Sequence, residues 1–155
     1  KTLSGCGFIL SSDGLGITLS QLIPPSSKAQ VFFEGKEVPF QILKRDQKEN
    51  LVLLKIEEKE LSSVPFFNFE KLEIGERVFV ICVIVENEKF QKFTNEGIVE
   101  RFDENYIFTN IVEDEKILGA PFFDIEGNFL GISQINKNKE IIIIPIQKIR
   151  SFANL

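Results

Sequence analysis

The sequence predicts an all-β fold. Short runs rich in β-branched and aromatic residues recur along the 155-residue chain, turn-forming residues separate them, and only two short stretches have helical features. Strands this short and this regularly spaced are typical of a barrel or a sandwich. Eleven strands are predicted, at residues 7–11, 16–19, 29–34, 37–44, 51–56, 77–85, 94–102, 106–110, 121–124, 129–135 and 140–144.

Turn signals lie between these strands. Glycine and asparagine tolerate the positive φ angles that tight hairpins need, and aspartate also favours turns. The predicted turns are Asp13-Gly14, Glu34-Gly35, Glu126-Gly127, 103–105 and 136–138. Residues 57–60 and 86–92 are rich in Glu and Lys, and we expect both stretches to be solvated loops.

Two predicted strands are apolar along almost their whole length. Residues 51–56 (LVLLKI) and 78–84 (VFVICVI) do not alternate polar and apolar side chains, so both of their faces should be covered. The chain has 16 phenylalanines and neither Trp nor Met. These phenylalanines are expected to fill two small cores rather than an exposed stripe, because large apolar patches are uncommon on monomers.

The chain has the length of one domain, with a division in the middle. Residues 57–74, rich in Glu, Lys, Ser and Pro, separate five predicted strands from six. We therefore expect a first β unit over residues 1–60, a connecting segment over 61–74 and a second β unit over 75–144.

Helical features are confined to two places. In residues 145–155, Pro145 suits the start of a helix, and Ile146, Ile149 and Phe152 share one helical face. A short terminal helix is therefore predicted at 147–152. Residues 20–23, stopped by two prolines, are expected to make a single turn, with Ser20 as its cap.

The composition excludes several classes of function. A net charge of -5 and a pI near 4.9 disfavour nucleic acid and anionic membranes as partners, since both attract basic surfaces. No run of 18 apolar residues is present, so membrane tethering would require segments outside this chain. Because the chain begins at Lys1 and has no Met, we expect a processed or excised piece. Protein or peptide partners remain open.

No cofactor or metal is expected. The chain has no His, which is the commonest metal ligand and general base, and Glu113, Asp114 and Glu115 are too close in sequence to form a cage alone. The two cysteines do not amount to a disulfide framework or a metal cluster. Cys82 is expected to be a buried thiol, and Cys6 to be more open with an ordinary pKa of about 8.5.

Seven partial motifs, in order and spacing over nearly the whole chain, resemble those of the trypsin-like proteases, and among them the HtrA/DegP-like branch. Residues 5–14 (GCGFILSSDG) resemble the family's opening G-S-G-F-I-I-S-x-D-G, and 50–56 (NLVLLKI) resemble D-L-A-V-L-K-I. The other similar stretches are 17–23 (ITLSQLI), 72–78 (LEIGERV), 94–99 (TNEGIV), 109–122 (TNIVEDEKILGAPF) and 144–146 (IPI).

The resemblance implies a chymotrypsin/trypsin-like double β-barrel with a short C-terminal helix. It assigns Gln21 to the position of the general base His, Asn50 to that of the Asp and Leu118 to that of the nucleophilic Ser. Lys116 stands where a glycine permits the turn of the oxyanion hole. Neither an amide nor an aliphatic side chain can attack a carbonyl or carry its proton. We therefore expect a pseudoprotease without catalytic residues.

The resemblance also implies a binding role. In the family, substrate peptides pair with an edge of the second barrel, here Gln134, Ile135 and Asn136, with a wall at 141–144. Such strand addition needs no catalytic residue. We expect a protein- or peptide-binding or scaffolding module. Two alternatives remain: an assembly or regulatory subunit with an idle groove, and a hydrolase with a relocated nucleophile.

The relocated nucleophile would be Ser20 or Ser133 paired with a lysine, since Ser-Lys dyads exist. The ordinary interpretation of Ser133 is a strand residue. Leu118 and Ile117 are expected to pack inward and fill the former cleft. Because family members are commonly exported, the resemblance favours an extracytoplasmic location, periplasmic or in the cell envelope.

Overall fold

Twelve β-strands and one α-helix make up the described part of the chain, residues 3–155 of the computed structural model. The strands are β1 (Phe8–Ile9), β2 (Leu15–Leu19), β3 (Val31–Phe33), β4 (Lys36–Val38), β5 (Phe40–Asp46), β6 (Leu51–Ile56), β7 (Arg77–Glu86), β8 (Lys89–Phe102), β9 (Ile107–Thr109), β10 (Pro121–Asp124), β11 (Phe129–Ile135) and β12 (Ile141–Pro145). The helix is α1 (Ile146–Ala153), and short 3₁₀ turns lie at Ser20–Leu22, Phe69–Lys71 and Glu115–Ile117.

The first six strands form an antiparallel sheet and a hairpin. The sheet has the order β1-β2-β6-β5, and β3 pairs with β4 beside it. The apolar strand β6 lies inside the sheet between β2 and β5, as its continuous hydrophobic run predicts. The single strand predicted at 37–44 is wrong, because the chain makes β4 and β5 with a break at Pro39, which has no N–H to donate to a ladder.

The last six strands close into a barrel of order β10-β11-β12-β9-β8-β7. All of its pairings are antiparallel. The loop predicted at 86–92 is wrong. β7 continues to Glu86, and β8 begins at Lys89 after a two-residue turn in which Asn87 and Glu88 have φ of 53° and 62°. Such a turn matches the twist of its strands, and the charged residues of the hairpin are exposed.

The terminal helix α1 closes the fold. Ile146, Ile149, Phe152 and Ala153 are buried on one face, and Asn154 ends the helix in the left-handed conformation, with φ of 59°. The helix begins one residue before its predicted start because Pro145 can precede a helix without losing a hydrogen bond. No helix within residues 3–155 is long and apolar enough to cross a membrane.

A shared apolar cluster joins the two β units. It contains Ile17, Leu19 and Leu51 from the first unit and Phe129 and Ile132 from the second. The connecting segment is pinned to the same place, since Phe129 donates its N–H to the Pro65 carbonyl (2.8 Å) and accepts the Phe67 N–H (3.0 Å). The rings of Phe8 and Phe129 stack at 4.3 Å between centroids. The two units therefore pack against each other through this cluster, and each also has a cluster of its own.

Two glycines of the second unit allow a test of this packing. Gly131 and Gly127 both have positive φ, 147° and 84°. A Cβ on Gly131 would overlap the Ile144 carbonyl oxygen on the neighbouring strand, whereas a Cβ on Gly127 would meet nothing within 4 Å. We predict that Gly131→Ala lowers the free energy of unfolding by about 3 kcal/mol or more. Gly127→Ala should cost about 1 kcal/mol, from backbone strain alone. Urea unfolding measures both, and equal losses would contradict the register of β11 and β12.

Candidate functional site

The structure brings Gln21 and Asn50 together. Gln21 lies in the 3₁₀ turn after β2, and Asn50 is the last residue before β6. The Asn50 Oδ1 atom accepts the Gln21 backbone N–H at 2.9 Å, and the Asn50 amide Nδ2 donates to Gln21 Oε1 at 2.7 Å. The Asn50 carbonyl also accepts the Ser20 N–H at 3.1 Å. Asn50 thus holds the turn that carries Gln21.

This amide pair is neutral. A primary amide has no basic nitrogen and carries no charge, so neither residue can accept a proton from a nucleophile or stabilise an imidazolium. Asn50 has φ of 59°, a left-handed conformation that asparagine adopts more readily than most residues. The pair has the geometry of a structural clamp.

Leu118 is buried in the apolar cluster that the two β units share. Its side chain is 4% exposed, and Leu22, which follows Gln21, packs against the same cluster. The inward packing expected for Leu118 and Ile117 is therefore what the structure has, with Ile117 fully buried in the second barrel. The Leu118 carbonyl accepts the N–H of Cys6 at 2.8 Å. An apolar side chain therefore fills the position that the sequence resemblance assigns to the nucleophile.

The backbone around Lys116 is engaged in local hydrogen bonds. An oxyanion hole of the trypsin type uses the N–H groups of the nucleophile and of the residue two before it, and the resemblance assigns these positions to Leu118 and Lys116. Here the Lys116 N–H donates to Asp114 Oδ1 at 3.0 Å, and the Leu118 N–H donates to the Glu115 carbonyl at 3.2 Å. Asp114 caps the 3₁₀ turn. Both donors are therefore already used.

The Lys116 side chain points to neighbouring groups of the second barrel. Its Nζ atom lies 4.8 Å from the centroid of the Phe93 ring and 3.8 Å from Glu113 Oε1. A cation over an aromatic face is favourable by roughly 0.5–1 kcal/mol at such exposed sites. Lys116 thus has a packing role in the structure.

The two candidate serines have structural partners. Ser20 Oγ accepts from Arg45 Nη1 at 2.8 Å, and the turn has no side-chain cap, so the prediction that Ser20 caps it is wrong. Ser133 is fully buried in β11; its hydroxyl donates to the Ile117 carbonyl and accepts the Ala120 N–H at 3.0 Å. Arginine stays protonated near neutral pH and cannot act as a base. The contacts of both hydroxyls are those of structural residues.

β11 ends with an unpaired edge. Ser133 donates its N–H to Ala120 and accepts the Gly119 N–H, both at 2.9 Å, whereas Asn136 donates to Glu140 on the opposite side at 3.0 Å. Because backbone groups alternate along a strand, Ile135 directs its N–H and C=O to the same side as Ser133. Within residues 3–155, Ile135 is paired only with Ile141 of β12, on the other side.

The wall predicted at residues 141–144 is wrong. These isoleucines form β12, which lies between β11 and β9 inside the closed barrel. All four side chains are buried, and their strand is paired on both edges. The edge at Gln134, Ile135 and Asn136 is half-buried and lies at the rim of the barrel.

Two cysteines lie near this site. The Cys6 thiol donates to the Val83 carbonyl oxygen at 3.6 Å, next to Cys82 on β7. The interaction with the Cys82 side chain, together with burial, raises the pKa of Cys6, and the interaction with Cys6 lowers the pKa of Cys82. The expectation of an ordinary pKa for Cys6 is therefore wrong. The local sequence does not indicate this shift, because Cys82 is distant from Cys6 along the chain. Within residues 3–155, no group of three or more Cys, Asp and Glu side chains is placed to hold a metal ion.

The closed barrel, the second sheet and the terminal helix together define a trypsin-like double-barrel domain. The sequence model of the Trypsin-like peptidase domain family matches residues 5–132. The chain belongs to this family.

The proteins that are similar to this chain in sequence are described as serine proteases. The chain is 29% identical to Serine protease HTRA1 of Xenopus laevis, over 96% of this chain and 35% of that protein. It is 25% identical to a probable periplasmic serine endoprotease, DegP-like, of Pseudomonas fulva, over 83% of this chain and 28% of the relative. The chain thus spans about a third of the length of these relatives, and the HtrA-like branch of the family is supported.

A solved structure shares the fold. The serine endoprotease from Yersinia pestis superposes with a TM-score of 0.82 at 20% sequence identity, covering 96% of this chain and 55% of that one. At this identity the likeness establishes the architecture alone. It agrees with the double barrel that the sequence predicts.

Two features of the site were missed in the sequence. Asp114 caps the turn at Lys116, and the signal was present, because an aspartate directly before a helical turn is a typical N-cap. The packing of Cys6 against the core that contains Cys82 had no local signal, since it depends on how the N-terminal segment crosses to the second barrel.

The amide pair provides a prediction about the site. Asn50→Ala removes two side-chain hydrogen bonds and leaves alanine at positive φ, so we expect a loss of about 2–3 kcal/mol in the free energy of unfolding. Gln21→Ala removes only the contact through Oε1 and should cost less than about 1 kcal/mol. Urea unfolding of the single and double variants checks this. Equal effects of the two single variants would contradict the clamp.

Proposed function

We propose that this domain is a non-catalytic, HtrA-like member of the trypsin-like family that binds extended protein segments at the edge of its second barrel. The observation that carries the proposal is the backbone edge at Ile135, which pairs only with Ile141 within residues 3–155 and packs against the same apolar cluster as the buried Leu118. The resemblance assigns position 118 to the nucleophile. In this proposal the domain keeps a surface for main-chain pairing, and no chemical group within residues 3–155 is placed to cut a bound segment.

The absence of catalysis follows from the residues at the three triad positions. Leu118 has no lone pair to attack a carbonyl, and Gln21 and Asn50 are neutral amides that bond to each other. A site without a triad but with an oxyanion hole retains a rate roughly 10³ to 10⁴ times that of the reaction in water. Loss of one oxyanion donor lowers that rate by a factor of roughly 10² to 10³. Because both N–H groups are bonded within their own turn, we expect a negligible rate of peptide hydrolysis.

Peptide binding requires less than catalysis does. An incoming strand needs an N–H and a C=O that point outward in register, and Ile135 offers both.

The partner is proposed to be protein rather than nucleic acid, because the net charge is -5. A location outside the cytoplasm is proposed by analogy with the DegP-like relatives, whose descriptions call them periplasmic. Chains that are unfolded in transit would supply extended segments of the kind that add to a strand edge.

A second candidate function is assembly with other subunits. On the outer face of β7, Ile81, Val83 and Val85 are each about half exposed, at 49%, 48% and 51%. The expectation that both faces of residues 78–84 are covered is therefore wrong, since only the inward face of the strand is buried. Three apolar side chains in alternation on one exposed face are typical of a surface that packs against another protein. Light scattering on the wild-type chain and on a Val83→Lys variant tests this function. An assembly through β7 would give the wild-type chain the molar mass of an oligomer and the variant a lower molar mass.

We predict that the domain does not react with an active-site-directed fluorophosphonate and does not cleave unfolded casein. Leu118→Ser should also remain unlabelled, because Gln21 cannot remove the hydroxyl proton and the Leu118 N–H is already bonded. Mass spectrometry of the intact protein reads out labelling. A labelled wild-type chain would refute the proposal, and Ser20→Ala and Ser133→Ala variants would then locate the nucleophile.

We predict that Ile135→Pro weakens binding of short extended peptides about tenfold, while Ile135→Ala changes it little. Proline removes the outward N–H but no bond to β12, since Ile135 and Ile141 form a non-hydrogen-bonded pair. One lost hydrogen bond corresponds to roughly this factor. NMR titration of the backbone amides against a peptide array measures both variants. Amide shifts that leave residues 134–136 unchanged would count against this edge.

A further inference from the structure

The β7–β8 hairpin extends beyond the closed barrel. β7 pairs with β10 only through residues 78–80, and β8 pairs with β9 only from Val99 onwards. Between these points and the hairpin turn, the two strands pair only with each other within residues 3–155. The hairpin therefore has two outer strand edges, and an unpaired edge is a template for another strand.

The N-terminal segment lies along the β7 edge. The Cys6 thiol donates to the Val83 carbonyl oxygen at 3.6 Å, and Ser4 and Gly5 line a small cavity together with residues 83–86. No segment of residues 3–155 is paired with the outer edge of β8 over residues 89–96. The edge of β8 is therefore the one open to a partner.

The backbone groups of β8 point outward at alternate residues. Ile98 donates its N–H to Asn110 Oδ1 at 2.8 Å and accepts the Asn110 N–H at 3.3 Å, on the side of β9. Because backbone groups alternate along a strand, Lys92, Thr94 and Glu96 direct their N–H and C=O groups to this same outer side. These three residues present main-chain donors and acceptors at the spacing of a strand.

The side chains of this edge form a symmetric pattern. Alternate residues of β8 share its exposed face, and in order they are apolar, basic, polar, acidic and apolar: Phe90, Lys92, Thr94, Glu96 and Ile98. Phe90 and Ile98 are 43% and 41% exposed. An antiparallel copy of the strand centred on Thr94 places an apolar residue opposite an apolar one and Lys92 opposite Glu96. The edge is therefore complementary to itself.

We propose that β8 pairs antiparallel with β8 of a second copy of this chain, about a twofold axis at Thr94. The two hairpins then form one four-stranded sheet. Thr94 exchanges two main-chain hydrogen bonds with Thr94 of the second copy, and Lys92 exchanges two with Glu96 on each side of the axis. The hydrogen-bonded part ends there, because Ile98 is already bonded to Asn110. Both copies use the same surface, as a twofold interface requires.

The charges select this register. Lys92 forms no ion pair within residues 3–155, whereas Glu96 contacts Arg77 on β7. The Glu96 side chain is 55% exposed in that pair, so it also has room for Lys92 of the second copy. Opposite charges that face each other across antiparallel strands stabilise the pairing, and like charges destabilise it. An axis at Lys92 or at Glu96 would set like charges against each other.

Pairing requires one local rearrangement. The Glu96 N–H points to the outer side and is bonded to Oδ1 of its neighbour Asn95 at 2.8 Å. A side-chain acceptor in this place covers one donor of the edge in the single copy. The carbonyl of the incoming Lys92 replaces it, and Asn95 keeps the bond from its Nδ2 atom to Glu113 Oε2 at 2.7 Å.

This interface is separate from the edge at Ile135, and the proposal does not rest on peptide binding. It also differs from packing through the outer face of β7, because main-chain groups of β8 carry it. A proline in β8 therefore affects this interface and leaves the other two surfaces unchanged.

Sedimentation equilibrium of the full chain, up to about 1 mM, tests the interface, since short contacts of this kind are weak. We expect a reversible dimer and no larger species, because the dimer uses the β8 edge of both copies. Thr94→Pro removes the N–H at the axis from both copies, so the association constant should fall roughly tenfold or more. Pairing with Ile81 loses no hydrogen bond, because the Thr94 N–H points outwards. Thr94→Val keeps the N–H and should associate as the wild-type chain does.

A charge exchange tests the register without relying on the proline variant. Lys92→Glu gives the exposed face two acidic side chains and Glu96→Lys gives it two basic ones, so each variant alone should stay monomeric. Mixed in equal amounts, they should form a heterodimer, because both contacts of the register then join opposite charges. Native mass spectrometry with one variant isotope-labelled measures this. Lys89→Glu makes the same charge change opposite Val99 and should dimerise as the wild-type chain does.

The proposal is overturned by a wild-type chain that stays monomeric at the highest concentration, or by a molar mass above that of a dimer. An unchanged dimer in Thr94→Pro would also overturn it and would assign the contact to another surface. So would a mixture of the two charge variants that forms no heterodimer, since the register requires one.

Discussion

The shared apolar cluster between the two β units is the constraint on which the rest of the structure depends. Leu19 and Leu51 enter it from the first unit, and Phe129 and Ile132 enter it from the second. Burying a side chain of this size contributes roughly 1.5–3 kcal/mol, so a cluster of such residues outweighs the polar contacts at its rim. The turns that carry Gln21, Asn50 and Leu118 all lie beside this cluster, and their relative positions follow from its packing.

The same cluster explains why a leucine suits position 118. An exposed nucleophile and unpaired N–H donors are costly to maintain, because each buried donor left without a partner destabilises the fold by about 1–3 kcal/mol. Here the Leu118 side chain adds apolar contact, and the nearby N–H groups are satisfied within their own turn. Both features favour stability over the strained arrangement that active sites often keep.

Those features that depend on local pattern could be predicted from the sequence. The continuous apolar run of β6 and the face shared by Ile149 and Phe152 in α1 both led to elements that the structure contains. Pro39 itself indicates the break between β4 and β5, because proline has no N–H to donate to a ladder. The β-favouring residues on both sides of it led instead to the prediction of one continuous strand. The packing of Cys6 against the core that contains Cys82 could not be predicted, because residues distant in sequence meet only when both β units are in place. Local patterns determine strands, whereas the site depends on their long-range packing.

The edge at Ile135 is supported by groups that have no part in catalysis. Ser133, two residues before it, is held by its hydroxyl to Ile117 and Ala120 and by its backbone to Gly119 and Ala120. These bonds fix the end of β11 whatever side chains occupy positions 21, 50 and 118. Triad catalysis depends on a few side chains, whereas strand addition depends on the backbone. The backbone of the edge that we propose for binding is therefore held independently of the side chains at positions 21, 50 and 118.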